Sequence, residues 1–229
     1  MLLYFIFLFL GLIAFLFTLY EVSKDDTLFI RKNVTLDNLF TLAFFTVGIG
    51  LLFARIFYVL VDFSLTYLNP LVFFLIMYYP GLSFPGGLTA AAVFLLFYAR
   101  RKKMPLGHTF DFFGISLLSA MPFGYIATMF LNSFNPFQHV FLPVVVAVLY
   151  GIGVSILLPR SHRNELRAGT LGTSSILVIS FVIFLTSVFH SINKGVFSLS
   201  IADIISLCTF LISLLFFIKQ EYIFSKVKK

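Results

Sequence analysis

Arg55 is the residue in this chain whose type and place most clearly call for chemistry. It stands in the middle of a long apolar run, with Tyr58 one turn on and Asp62 beyond. A charge inside hydrocarbon is costly, so Arg55 must face a bundle interior or a wet cavity, or turn its guanidinium onto backbone carbonyls. The planar fork also matches a phosphate bidentately, which makes Arg55 a candidate clamp for an anionic lipid headgroup. Both readings stand at this level.

A second candidate element is Tyr78-Tyr79-Pro80-Gly81-Leu82-Ser83-Phe84-Pro85-Gly86-Gly87. Its prolines and glycines exclude a regular helix, and at membrane depth such backbone must line a cavity or be buried in protein. Gly86 and Gly87 then open a helix whose first N–H groups are unpaired, a natural anion site, with Ser83 beside them. The plainer reading is a loop that turns the chain. Asp111 and Asp203 stand near the ends of apolar runs, where a carboxylate caps a helix or pairs with charge. Asp62 has the same expected role. His190 and Lys194 lie at the outer end of another run. His108 and His162 sit in basic loops and read as solvated; His139 lies in a loop on the other side. No two histidines are spaced i, i+4, and neither G-x-S-x-G nor a Walker sequence occurs, so no metal and no cofactor are expected. Cys208, alone in the chain, excludes an intrachain disulfide.

The elements that position these residues follow from composition. Of the 229 residues 60% are hydrophobic and 11% charged, against about 25% charged in a soluble domain. Such a chain must use lipid as solvent. Trp is absent, so Tyr must supply most of any interfacial aromatic belt. The apolar segment Met1–Tyr20 has no basic leader and no A-x-A cleavage site, and is read as a first helix rather than a signal peptide. Seven spans are expected: Leu2–Tyr20, Leu39–Phe63, Gly86–Ala99, Phe110–Leu131, Val140–Leu158, Leu171–His190 and Ile201–Ile218. The third is short and is expected to start as early as Gly81 or to begin in irregular backbone. Pro70–Tyr79 is apolar but too short to span, so it lies at the interface or re-enters.

The cations orient these spans. Lys24, Arg31 and Lys32 follow the first; Arg100, Arg101, Lys102 and Lys103 the third; Arg160, Arg163 and Arg167 the fifth. Lys219, Lys226, Lys228 and Lys229 form the tail. All but Arg55 and Lys194 of the 16 cations thus fall on one side, which the positive-inside rule makes cytoplasmic. The net charge of +7 is therefore a topology signal, and no nucleic-acid partner is expected. The reading is an all-α integral membrane protein of seven transmembrane helices. Its N-terminus is outside, its C-terminus cytoplasmic, and residues 1–229 form a single polytopic membrane domain.

Three stretches resemble the prolipoprotein diacylglyceryl transferase family. Phe53-Ala54-Arg55-Ile56-Phe57-Tyr58-Val59-Leu60-Val61-Asp62 is similar to the family's G-G-R-[LI]-G-Y-V-L-F-Y. Gly81-Leu82-Ser83-Phe84-Pro85-Gly86-Gly87-Leu88 resembles G-G-M-S-F-H-G-G-L, and an apolar helix ending in Ala99-Arg100-Arg101-Lys102-Lys103-Met104-Pro105 follows as in the family. Asp111 matches an aspartate that begins the next helix. Asn135-Pro136-Phe137-Gln138 and Ser198-Leu199-Ser200 are weaker matches. The resemblance implies a seven-helix fold with the N-terminus outside and a site in a cavity towards the outer leaflet. It implies transfer of a diacylglyceryl group from phosphatidylglycerol to the lipobox cysteine of a lipoprotein precursor. The thiol is the nucleophile and glycerol phosphate leaves. The compartment implied is the bacterial cytoplasmic (inner) membrane.

The chain departs from the family where the chemistry belongs. The histidine of S-F-H-G-G is Pro85. The signature G-R-x-G-N-F-x-N-x-E aligns with Gly124–Ser133, so that its arginine, first asparagine and glutamate become Tyr125, Thr128 and Ser133. Ile183, Ser187 and His190 stand near the family's R-x-x-x-E-x-x-R. Phosphate departure needs preorganised donors, and losing one costs about 10²–10³ in rate. Three readings follow. The first is a catalytically degenerate relative that binds an anionic lipid headgroup, a lipoprotein or a membrane partner through Arg55, Tyr58, Ser83, Gly86 and Gly87. The second is an active divergent transferase in which His190, Tyr125 or Lys194 substitutes for the missing groups. The third is an unrelated small membrane transporter, against which stand the scarcity of intramembrane carboxylates and the lack of paired broken helices.

Overall fold

The computed structural model of the protein describes residues 2–24, 26–32, 34–61, 67, 69, 72–73, 81–130, 141–162, 168–193 and 201–227. Among them the regular structure is entirely helical. The helices are α1 (Leu2–Ser23), α2 (Thr27–Arg31), α3 (Leu36–Val61), α4 (Phe84–Arg101), α5 (Leu106–Thr128), α6 (Leu142–His162), α7 (Thr170–Asn193) and α8 (Ile201–Val227). All but α2 fall on the seven expected apolar runs. By length and apolarity α1, α3, α5 and the Leu142–Arg160 part of α6 are able to cross a membrane. Their outer faces carry bare apolar side chains such as Leu2, Phe9, Phe17, Leu51 and Leu60, an arrangement water does not tolerate and lipid does.

The short helix α2 was not expected from hydropathy. Asp26 explains it: its Oδ1 accepts from the amides of Leu28 and Phe29, both at 2.9 Å, the capping geometry that satisfies the orphan donors of a first turn. The third expected span begins at Phe84, with Ser83 extended before it and a proline in the first turn, where the missing proline N–H costs nothing. The fourth begins at Leu106, after an extended Pro105. Asp111 is therefore inside α5 rather than at its start.

The chain forms two compact units, residues 1–29 with 105–229 and residues 30–104. In the first, α5 is the hub, packed on α1, α6 and α7, while α8 packs on α7. Lipid tails are as apolar as leucine, so helices in a membrane associate through close approach and polar bonds rather than through burial from water. Both are present. A Cβ at Gly114 would lie 2.7 Å from the Cα of Gly172, and one at Gly172 would collide with the ring of Phe110, so backbone meets backbone where α5 crosses α7. Thr18 Oγ1 donates to Ser119 Oγ at 2.9 Å between α1 and α5. Ile115 and Leu118 of α5, Val146 of α6 and Ile179 of α7 fill the space around these contacts.

In the second unit α3 packs on α4. The contacts run in opposite directions along the two helices, from Gly50 against Ala91 and Gly87 to Phe57 against Gly86. A Cβ at Gly87 would lie 2.8 Å from the Gly50 carbonyl and 2.9 Å from Ala54 Cβ. The chain just before α4 is tied to the same helix: the Ser83 amide donates to the Ala54 carbonyl at 2.9 Å.

Candidate functional site

Arg55 lies in the smaller unit and is 2% exposed. Its Nε donates to the Phe73 carbonyl at 3.0 Å, Nη1 to the Gly81 carbonyl at 2.8 Å and Nη2 to the Val72 carbonyl at 3.4 Å. Three aromatic rings surround the guanidinium, with centroids 5.2 Å (Tyr67), 5.8 Å (Tyr58) and 6.0 Å (Phe73) from Cζ. Each is within the range where a ring face attracts a cation. Tyr58 and Tyr67 meet edge to face, at 6.3 Å and 81°. The carbonyl reading of Arg55 thus describes what it touches: one side chain on α3 gathers residues 72, 73 and 81 around it. Among the described residues no carboxylate pairs with it.

The other members of that expected site sit close to it in the chain. Gly81, whose carbonyl Arg55 holds, is covered so closely by the Tyr58 ring that it has no room for a Cβ. Ser83 makes no side-chain capping bond. Gly86 and Gly87 are both buried, and both face α3, where their lack of a Cβ is needed for packing. Asp62 lies outside the described residues, as do Tyr78–Pro80, Lys194, Asn135–His139 and Ser198–Ser200.

Tyr125 belongs to the larger unit. Its ring lies 5.5 Å from that of Tyr150, and its hydroxyl lies near the hydroxyls of Tyr150 on α6 and Thr186 on α7. Tyr150 donates in turn to the Ile179 carbonyl at 3.3 Å. This polar knot binds α5, α6 and α7 together. Thr128, another position of the signature, donates to the Tyr125 carbonyl at 2.6 Å. The backbone of His190 lies one turn beyond Thr186 on α7; its side chain, like that of Asp203, is outside the described set.

Asp111 is buried in the larger unit, and its two carboxylate oxygens accept from the amides of Gly169 and Gly172, both at 2.6 Å. It caps a helix, but that helix is α7 rather than its own. The link is invisible to local sequence reading because the partners are 58 and 61 residues away. Nearby, His108 Nδ1 meets Asp26 Oδ2 at 3.0 Å, so His108 joins α5 to the cap of α2 instead of standing free in a loop. Among the described residues no group of histidines, cysteines and carboxylates is arranged to hold a metal.

Long apolar helices joined by glycine crossings, with a buried guanidinium as a fixed charge, define a helical membrane protein. The model of one family, prolipoprotein diacylglyceryl transferase, matches residues 1–219, and the chain belongs to that family. No curated protein matches its sequence.

Proposed function

We propose that the chain is a catalytically degenerate relative within its family, one that binds an anionic phospholipid headgroup of the phosphatidylglycerol type without transferring its diacylglyceryl group. One observation carries the reading. Arg55 is a buried cation with no carboxylate partner among the described residues, and its Nη1 bonds the Gly81 carbonyl three residues before the N-terminus of α4. A guanidinium and the positive end of a helix dipole then share one end of the small unit. Carbonyl oxygens offset part of that charge, and an anion offsets the rest. On this reading Arg55 supplies the field, Tyr58 and Ser83 supply hydroxyls, and the start of α4 up to Gly86 supplies amides, while Gly87, whose own amide is given to the Ser83 carbonyl at 3.0 Å, lets that end of the helix lie close against α3. The family's substrates, a phospholipid and a lipoprotein precursor, make a lipid headgroup the natural anion.

Loss of transfer chemistry is supported by what stands at the signature positions. Tyr125 replaces an arginine and sets its hydroxyl among those of Tyr150 and Thr186, Thr128 bonds backbone, and Pro85 replaces a histidine. None of these brings the cations that a departing glycerol phosphate needs.

We also read the chain as one polytopic domain of seven spans in the bacterial cytoplasmic membrane, N-terminus outside and C-terminus cytoplasmic. Helix directions within each unit support the alternation of spans in this reading. The contacts of α5 run antiparallel to α1, from Phe7 with Phe130 to Phe15 with Phe113, and parallel to α7, from Gly107 with Ala168 to Gly114 with Gly172. The contacts of α3 and α4 are antiparallel. Strict alternation of seven spans demands each of these relations.

The test gives membranes containing the protein both phosphatidylglycerol and a lipobox peptide. Peptide mass and retained lipid are then read beside a working family member. Retained anionic lipid without a mass shift is the expected result. A diacylglyceryl mass shift absent from empty membranes establishes the active divergent enzyme instead, and failure to retain anionic over neutral lipid removes the binding reading.

A further inference from the structure

The C-terminal end of α4 carries Arg100, Arg101, Lys102 and Lys103, all exposed. Among the described residues none of the four is in an ion pair. The backbone here does something topology alone does not need. Met104 N–H donates to the Ala99 carbonyl at 2.9 Å and Lys103 N–H to the Arg100 carbonyl at 3.1 Å, the paired closing bonds of a Schellman turn. Met104 and Ala99, the apolar contact of that turn, are both buried. Such a turn requires a left-handed residue, and that position is normally glycine. Here it is Lys103, at φ 55°, the sole non-glycine residue of positive φ among those described. A side chain held in a costly conformation points to what the side chain does.

On the topology read above this turn lies at the lipid headgroups. Phe97 is exposed, Arg101 lies 4.7 Å over its ring, and Tyr98 packs on Phe94 at 5.8 Å. A tyrosine at the end of an apolar helix, as Tyr98 is, marks the membrane interface. The cations begin two residues beyond Tyr98, within a few ångströms along the helix axis, at the level where lipid phosphates lie. The left-handed turn ends the helix at Lys103.

We propose that Arg100–Lys103 form a fixed binding patch for the phosphates of anionic glycerophospholipids in the leaflet at this end of α4. That leaflet is cytoplasmic on the topology read above, but the lipid contact does not rest on the Arg55 site. Positive-inside orientation tolerates a glycine at 103, which leaves three cations and relieves the backbone; on this proposal the lysine supplies the fourth phosphate contact.

The experiment compares wild type with Lys103→Gly and Lys103→Gln in nanodiscs of phosphatidylcholine with increasing phosphatidylglycerol. Retained anionic lipid is read by native mass spectrometry and stability by thermal unfolding. Lys103→Gly is expected to raise Tm by about 2–4 °C while weakening anionic-lipid retention about fivefold. Lys103→Gln keeps the strain and loses the same affinity. Added salt weakens retention in wild type more than in either variant. Unchanged retention in both variants overturns the proposal and leaves the turn a structural cap. Displacement of lipid by inorganic phosphate at constant ionic strength also overturns it, in favour of a solution-anion site. Loss confined to Arg55 variants would support the site on α3 and count against this one.

Discussion

The carboxylate of Asp111 on α5 accepts the amide of Gly172 on α7 at 2.6 Å, at the place where Gly114 and Gly172 bring the two backbones together. One side chain thus closes the start of α7 at the crossing that glycine permits. With the Gly169 amide also bound, Asp111 satisfies two donors that have no intrahelical partner, at the end of the helix dipole that favours negative charge. Asp111→Ala leaves both amides buried and unpaired and is expected to cost about 2–4 kcal/mol. Asp111→Asn keeps one acceptor and should fall between. Thermal unfolding in one detergent ranks the three, and an alanine variant as stable as wild type would remove the cap from the account.

The glycines at that crossing should behave unlike others in the same chain. Gly114→Ala and Gly172→Ala each place a methyl against backbone, so the helices must part, at about 1–3 kcal/mol. Gly48→Ala, Gly124→Ala and Gly151→Ala meet nothing within 4 Å and should be neutral or gain up to about 1 kcal/mol from helix propensity. Parallel melting curves of the five variants check the contrast, and equal losses in both groups would contradict the packing described.

The long helices were legible because apolar runs of membrane length alternate with cationic loops, and both signals are local. What escaped was set by partners distant in sequence or by single caps. The helix α2 spans five residues and exists through Asp26, which hydropathy does not weigh. Asp111 was recognisable as a capping carboxylate, but Gly169 and Gly172 as its partners were not. Gly86 and Gly87 suggested an anion cradle from their place at a helix start; their packing against Gly50, Ala54 and Phe57 becomes visible only once α3 lies beside α4. For Arg55 the sequence left carbonyls and phosphate as alternatives. The carbonyls are now named, and they add a structural role to the lipid role proposed.

That double role changes what Arg55 variants should do. Arg55→Ala removes the fork that holds the Val72, Phe73 and Gly81 carbonyls, and a loss of about 3–5 kcal/mol is expected. Lipid retention falls with it. Arg55→Lys keeps the charge but loses the fork geometry and the stacking of a planar cation, so it should lose stability while retaining more anionic lipid than alanine. Unfolding and native mass spectrometry on the same samples separate the two effects. If lysine and alanine retain equally little lipid while lysine folds nearly as well as wild type, charge is not what holds the headgroup.

Tyr125 is the position at which the structural and catalytic readings of the larger unit part most cleanly. Set beside Tyr150 and Thr186, it contributes one hydroxyl to the junction of α5, α6 and α7. Tyr125→Phe keeps the ring against Tyr150 and deletes that hydroxyl, so about 1 kcal/mol of stability should be lost. Thr186→Val should cost a similar amount, and the double variant less than the sum, because both remove members of one network. Under the active-enzyme alternative Tyr125 would instead assist transfer. Any residual diacylglyceryl transfer in wild type would then fall by an order of magnitude or more in Tyr125→Phe and remain in Thr186→Val. Stability curves for the three variants, set beside the transfer assay, assign the residue. Coupled stability losses with no transfer to lose make it a strut, whereas a selective fall in transfer makes it part of a rebuilt active site.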